Sequence, residues 1–397
     1  MLEYRSKELI RILRILVING ELEKSDLLDI FNGDAREMYR FIYRQKKVLS
    51  TYKYRYGSSV RANMKGRSCS FEKLLSKMDK EGRAWAYYDD TFRKQHALRS
   101  NKSVATRHYY IGHTLNFIMD DFDIDIWKRP SLPEMIDGVM NGNRASVPVN
   151  TFFGIREIKN ATEEGKLEYM SSIASGVLLL PGGIYTLYYL PKPTRVIESE
   201  AKKKSGANWG VQRESRFYNH VNRVFRALES KYIPYDDQMD NALVIGSNEV
   251  ASEIFKGLME PEKRTAFTFD KQSIRKISFI KDNEQGKRIL RLLKIPGMQR
   301  KVIERKVTNK ENIITSLETE DAVENGLSIL FWLDGDLKHL YNALSKDREG
   351  KPLYIICEEE YMDLVDELSF LMYGKKAADL VKVSKISVEE IERIATA

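Results

Sequence analysis

The most chemically suggestive stretch is "DAREMYRFIYRQKK", positions 34 to 47. Arg36, Arg40, Arg44 and Lys47 recur at spacings of four, four and three, with Tyr39 and Tyr43 among them. At 3.6 residues per turn this spacing gathers the cations on one face of a helix and leaves Met38, Phe41 and Ile42 on the other. Guanidinium groups suit phosphates and guanine edges, so the chemistry is recognition of a nucleic acid rather than bond breaking. A second cationic group lies between Ala201 and Arg226, with seven Lys/Arg against one acid; it includes Lys202, Lys203, Arg213, Arg216 and Arg223. It predicts another surface for a phosphate backbone.

The first group needs a scaffold, and the flanking sequence supplies one. "SKELIRILRILVING" repeats Leu9, Leu13 and Leu16 at helical spacing and stops at Gly20. "SDLLDIF" reads as a second helix with Ser25 as N-cap, ending at Asn32-Gly33, and Asp34 is placed to cap the third. "LSTYKYRYG" then alternates Tyr52, Tyr54 and Tyr56 with Lys53 and Arg55, the period of a strand. Three helices and a basic hairpin predict a winged helix-turn-helix. Its third helix would enter a major groove while Lys53, Arg55 and Arg61 meet backbone phosphates. The competing reading is a solvated amphipathic helix in a protein-binding domain.

Charge distribution agrees with the DNA reading. Residues 1 to 70 carry 15 Lys/Arg against 8 Asp/Glu, so nearly all of the chain's net charge of +8 sits in this end. A length of 397 residues and 42% hydrophobic content predict more than one packed domain. The expected divisions are 1–68 for the winged helix, 69–145 for a helical connector, 146–295 for an α/β domain and 296–397 for a second one. No apolar run is long enough to cross a bilayer. The N-terminal "MLEYRSKELIRI" lacks a signal-peptide core, and Cys69 and Cys357 stand far apart, so a reducing cytoplasm is expected.

In the middle of the chain, His108 and His113 are five apart, too poorly aligned for a metal pair. "SGVLLL" and "IYTLYYL" flank Pro181-Gly182-Gly183 and predict a hairpin. In "QRESRFYNHVNRVFRALES", Phe217, Val221, Val224 and Leu228 predict a core face. Further on, "NALVIGSNEVASEIFKGL" and "KPLYIICEEEYMDLVDELSFL" each read as strand then helix, followed by "RKISFI" and "DLVKVSKI"; they are a duplicated strand-helix-strand unit or, as expected, two units of one mixed sheet. Asp334 and Asp336 flank Gly335 as a turn would, or as metal ligands would. There is no Gly-rich phosphate loop.

The order of these parts, with "RHYYIGHTLNFIMDDF", the hairpin and the basic helix, resembles the replication-relaxation family over roughly residues 5 to 250. Those are winged-helix proteins of plasmids and conjugative elements, and some relatives carry a restriction-endonuclease-like second domain. The resemblance implies an α+β or α/β chain with a degenerate body of that kind, bound to double-stranded DNA. It also implies a partner protein in a replication or transfer complex, or a second copy of the chain. Endonuclease chemistry needs an Asp on one strand and an acid-x-Lys on its neighbour to hold Mg²⁺ and activate water. Here the hairpin has Ser175-Gly176 and "YTLYYL", without acids; the nearest substitute is Glu198, Glu200 and Lys202. The expectation is a non-catalytic, cofactor-free DNA-binding protein. The alternatives are a Mg²⁺-dependent nuclease or relaxase using those three residues, and a ligand-sensing transcription regulator.

Overall fold

The computed structural model describes residues 7–54, 57–64, 70–78, 102–119, 132, 134, 151–161, 173–180, 183–192, 221, 225, 241–260, 274–314 and 319–397. It is a mixed α+β chain of two compact units: Met1–Glu168 with Ser230–Tyr232, and Tyr169–Glu229 with Ile233–Ala397.

In the first unit, α1 (Lys7–Asn19) buries Leu9, Leu13 and Leu16, the residues whose spacing predicted it, and Ile12 beside them. Gly20 ends it at φ 80°, a conformation that suits a residue without Cβ. A short strand β1 (Glu21–Glu23) follows, then α2 (Lys24–Ile30). Ser25 does not cap α2; the N-cap is Glu23, and Ser25 is exposed in the first turn. The short strand carries the chain into the helix two residues earlier than the sequence suggested. α2 ends as expected at Asn32-Gly33, both with positive φ, where Gly33 N–H donates to Leu28 O and Asn32 N–H to Asp29 O. Asp34 then caps α3 (Ala35–Arg44) through its side chain, which accepts from Glu37 N–H at 2.9 Å.

The hairpin β2 (Leu49–Tyr54) and β3 (Gly57–Ala62) closes an antiparallel sheet in the order β1-β3-β2. On α3, Met38 and Ile42 are buried. Phe41, expected to be buried with them, is only half-buried and packs against Phe31 at 5.1 Å between ring centroids. After α4 (Ser70–Met78) comes α5 (Lys102–Ile118). In its described part α5 is not a connector: it packs on α1, β1 and α2 and belongs to their core. The remaining described elements are β4 (Thr151–Gly154) and α6 (Ile155–Asn160).

The second unit opens with the expected hairpin, β5 (Gly176–Leu180) and β6 (Gly183–Leu190). β6 continues in parallel with β7 (Asn241–Gly246), which is parallel to β8 (Lys276–Lys281) through the crossover helix α7 (Asn248–Met259). Every residue of β5, β6 and β7 is buried, which is why these strands read as unbroken apolar runs. Val221 and Phe225, from the helix expected after the hairpin, are buried too. Helices α8 (Glu284–Leu293) and α9 (Met298–Lys306) lead to a second sheet.

That sheet has the order β12-β11-β10-β9, from β9 (Ala322–Glu324), β10 (Leu327–Trp332), β11 (Leu353–Glu358) and β12 (Val381–Ile386). Between its strands lie α10 (Leu337–Ser345), α11 (Met362–Tyr373) and the short α12 (Ala377–Leu380); α13 (Val388–Thr396) closes the chain. The two strand-helix-strand stretches expected as parts of one mixed sheet therefore sit in separate sheets. Nor do the described residues divide near position 295. Ser278 bridges to Asp336 and Phe279 N–H donates to Gly335 O at 2.9 Å, stitching β8 to the turn after β10. Gly335 is needed there: its φ is 68°, and a Cβ would meet Phe279 O at 2.2 Å.

Candidate nucleic-acid interface

The outward face of α3 is built by elimination. Met38 and Ile42 turn inward, and helical geometry then leaves Arg36, Tyr39, Arg40, Tyr43 and Arg44 exposed, with Lys47 exposed in the turn beyond. A ten-residue helix is about 15 Å long, enough to lie along a major groove. Tyr39 and Tyr43 are 54% and 70% exposed, unusual for large rings on a folded surface. Each has a cation over one face: Lys24 Nζ lies 5.1 Å from the Tyr39 centroid and Lys46 Nζ 4.7 Å from that of Tyr43. The lysines restrain the rings through cation–π attraction and add charge beside the arginine row. Nothing in the sequence period singles out Lys24 or Lys46; their signal lies in contacts across the turn.

Of the expected wing residues, Lys53 is exposed on β2, on the hairpin that follows α3. Arg61 is placed differently. It lies opposite Glu21 across β3 and β1, and its guanidinium donates twice to Glu21 Oε2, from Nη2 at 2.5 Å and Nε at 2.7 Å. Glu21 is 4% exposed and also accepts from Ser59 Oγ. A buried carboxylate must be paired, so Arg61 is committed to the interior rather than offered to phosphates. Arg55 lies outside the described residues, as do Glu198, Glu200, Lys202, Lys203, Arg213, Arg216 and Arg223.

Behind the cationic face lies a polar buttress that fixes α2 and β1. Asn19 Nδ2 donates to Glu21 O and His108 O, both at 2.8 Å, and the His108 ring contacts Asn19 O at 3.1 Å. His113 pairs with buried Asp26 at 2.6 Å, and Asn116 Nδ2 donates to Asp26 O. Both histidines are thus satisfied structural groups. Burial, helped by Glu21 and Asp26, pushes the Glu23 carboxyl up to about 7, with Arg61 opposing.

The second unit holds a buried ionic knot. Lys276 pairs with Asp334, while Asp336 accepts from Ile277 N–H at 3.1 Å and from Lys338 N–H at 3.0 Å, capping α10. Burial works against the Asp334 charge, but Lys276 beside it holds its carboxyl below the usual range; burial raises Asp336. These interactions give both aspartates structural work. Among the described residues there is no group of three or more His, Cys, Asp or Glu that could hold a metal ion, and no helix long and apolar enough to cross a membrane. Searches find no protein-family model, curated protein or solved structure that matches this chain.

Proposed function

We propose that this chain is a non-catalytic double-stranded DNA-binding protein whose first unit acts as a winged helix-turn-helix. The observation that carries the reading is the outward face of α3. Three arginines and two cation-capped tyrosines stand exposed on a helix whose opposite side is buried, with exposed Lys53 on the adjoining hairpin. Helix, strand, helix, helix and hairpin, with the sheet order β1-β3-β2, is the arrangement such a reader needs. α3 reads base edges in the major groove, and Lys53 contacts backbone phosphate. The setting that goes with this reading is the replication or transfer of a plasmid or other mobile element, or the regulation of either.

Binding selection on random duplexes with the full chain tests the reading and supplies its preferred site. On that site Arg36→Ala and Arg40→Ala should each cost about 1 to 3 kcal/mol and relax sequence choice, since the N-terminal half of a recognition helix reaches the bases. Arg44→Ala should weaken preferred and random duplexes alike. Failure to enrich any sequence, with all three variants binding as the parent does, removes α3 from the interface.

A further inference from the structure

From Lys287 to Lys310 the chain carries nine Lys/Arg and one acid, Glu304. This excess matches the net charge of the whole protein and falls on α8, α9 and the turn after them. The helices are amphipathic: Ile289, Leu290, Leu292 and Leu293 of α8 and Met298, Val302 and Ile303 of α9 are buried. Burial of those faces leaves Arg288, Arg291, Arg300, Lys301, Arg305 and Lys306 exposed, with Lys310 exposed beyond α9.

The C-terminal helix α13 packs on both α8 and α9 and answers part of this charge. Glu389 pairs with Arg288 at 3.3 Å, and Glu390 pairs with Lys306 at 2.5 Å. Lys301 Nζ donates at 2.6 Å to the carbonyl of Ala395 in the last turn of α13. α13 thus places two carboxylates and a helix C-terminus, where the dipole is negative, against three cations of the pair. Arg300 has a partner on its own helix, Glu304 at 2.8 Å.

We propose that α8 and α9 form a second docking surface, for a nucleic-acid phosphate backbone, and that the carboxylates of α13 occupy part of it in the free protein. The surface favours that partner on two grounds. An amphipathic membrane-binding helix inserts apolar side chains, and a protein interface is built on aromatic or aliphatic anchors. The exposed large hydrophobic residues among those described are Tyr39, Tyr43, Leu327 and Phe370, none of them on α8 or α9. What remains is charge without apolar anchors, the footprint of sequence-independent binding to phosphates. The surface lies in the second unit and stands independently of the reading of α3.

The test uses the full chain and a random-sequence duplex about three helical turns long. Binding is followed by fluorescence anisotropy while salt is raised from about 50 to 200 mM. Arg300→Ala/Arg305→Ala/Lys310→Ala should lower the log–log salt slope by about 2 to 3, near 0.9 for each phosphate no longer neutralised. Glu389→Gln/Glu390→Gln should do the opposite, tightening binding and steepening the slope by up to about 2, because Arg288 and Lys306 are released. Breaking a purely structural ion pair would not tighten binding. Should the triple variant fail to fold by circular dichroism, Arg305→Ala alone should lower the slope by about 0.9. Unchanged slopes in the folded variants would overturn the proposal. So would binding to phosphatidylserine vesicles with none to the duplex. Arg40→Ala separates the two surfaces: it should alter discrimination between sites and leave the effect of the α13 variant intact.

Discussion

Replacing Arg61 and Lys53 in turn separates a cation that holds the fold from one that, in the proposed reading, meets DNA, although both lie on the same hairpin. Arg61→Ala leaves Glu21, 4% exposed, with Ser59 Oγ at 3.2 Å as a remaining side-chain donor. Breaking a buried ion pair by removing one partner costs about 3 to 5 kcal/mol, and the surviving serine places this case near the lower end. For a unit of this size that is a fall in Tm of about 6 to 12 °C. Glu21→Gln/Arg61→Ala should recover most of it, because a neutral amide needs no cation. Lys53→Ala should leave stability within about 0.5 kcal/mol of the parent and lower the salt slope of duplex binding by about 0.9. Differential scanning calorimetry and anisotropy titrations read the two effects separately. If Arg61→Ala melts like the parent but loses salt dependence, the arginine belongs to the interface and the structural assignment is refuted.

Glu23 gives a pH dependence. Its folded pKa of about 7 lies above the ordinary glutamate value of about 4.3, so its contribution is intact below the lower value and is lost as pH rises toward the higher. Glu23→Gln should flatten this fall and, after discounting for its half-exposed position, stabilise the chain by about 1 kcal/mol at pH 8 in urea titrations; a destabilised variant at that pH would contradict it. Supercoiled plasmid carrying the selected site should stay intact with Mg²⁺ or Mn²⁺, and nicking that disappears in Glu200→Ala would establish the nuclease alternative.

The N-terminal elements were legible because local signals and tertiary demands coincide there. Gly20, Asn32-Gly33 and Asp34 are boundary residues whose backbone or side-chain chemistry is used as expected. The α3 face followed from period alone. Arg61 was not legible because its partner, Glu21, lies 40 residues away and meets it through strand register. Helix α5 reads as a connector in sequence for a similar reason: its polar ties to Asn19 and Asp26 span about 90 residues. The same limit hid the pairing of α13 with α8 and α9, where Glu389 and Arg288 are 101 residues apart. The two strand-helix-strand stretches looked like one sheet because an apolar strand carries no mark of which neighbour it will join.

Burial also sorts the charges of the basic end. Asp26 is turned inward onto His113 and Glu21 onto Arg61, so neither acid faces solvent. Among the described residues no such acid is paired with the arginines of α3, and the face left to water is more basic than composition alone implies. The tie from α5 serves this separation. By holding Asn19 and Asp26 it fixes β1 and the start of α2, and the short turn at Asn32-Gly33 passes that position on to α3. A groove-reading helix needs its side chains held to within a fraction of an ångström, which a three-helix stack with an exposed rear face would not provide. If α3 reads a groove as proposed, the polar buttress is part of what holds it in position. Loosening it, as Asn19→Ala would, should cost sequence discrimination before it costs the phosphate contacts of Lys53; random and preferred duplexes titrated side by side would show an unchanged affinity ratio if the buttress played no part.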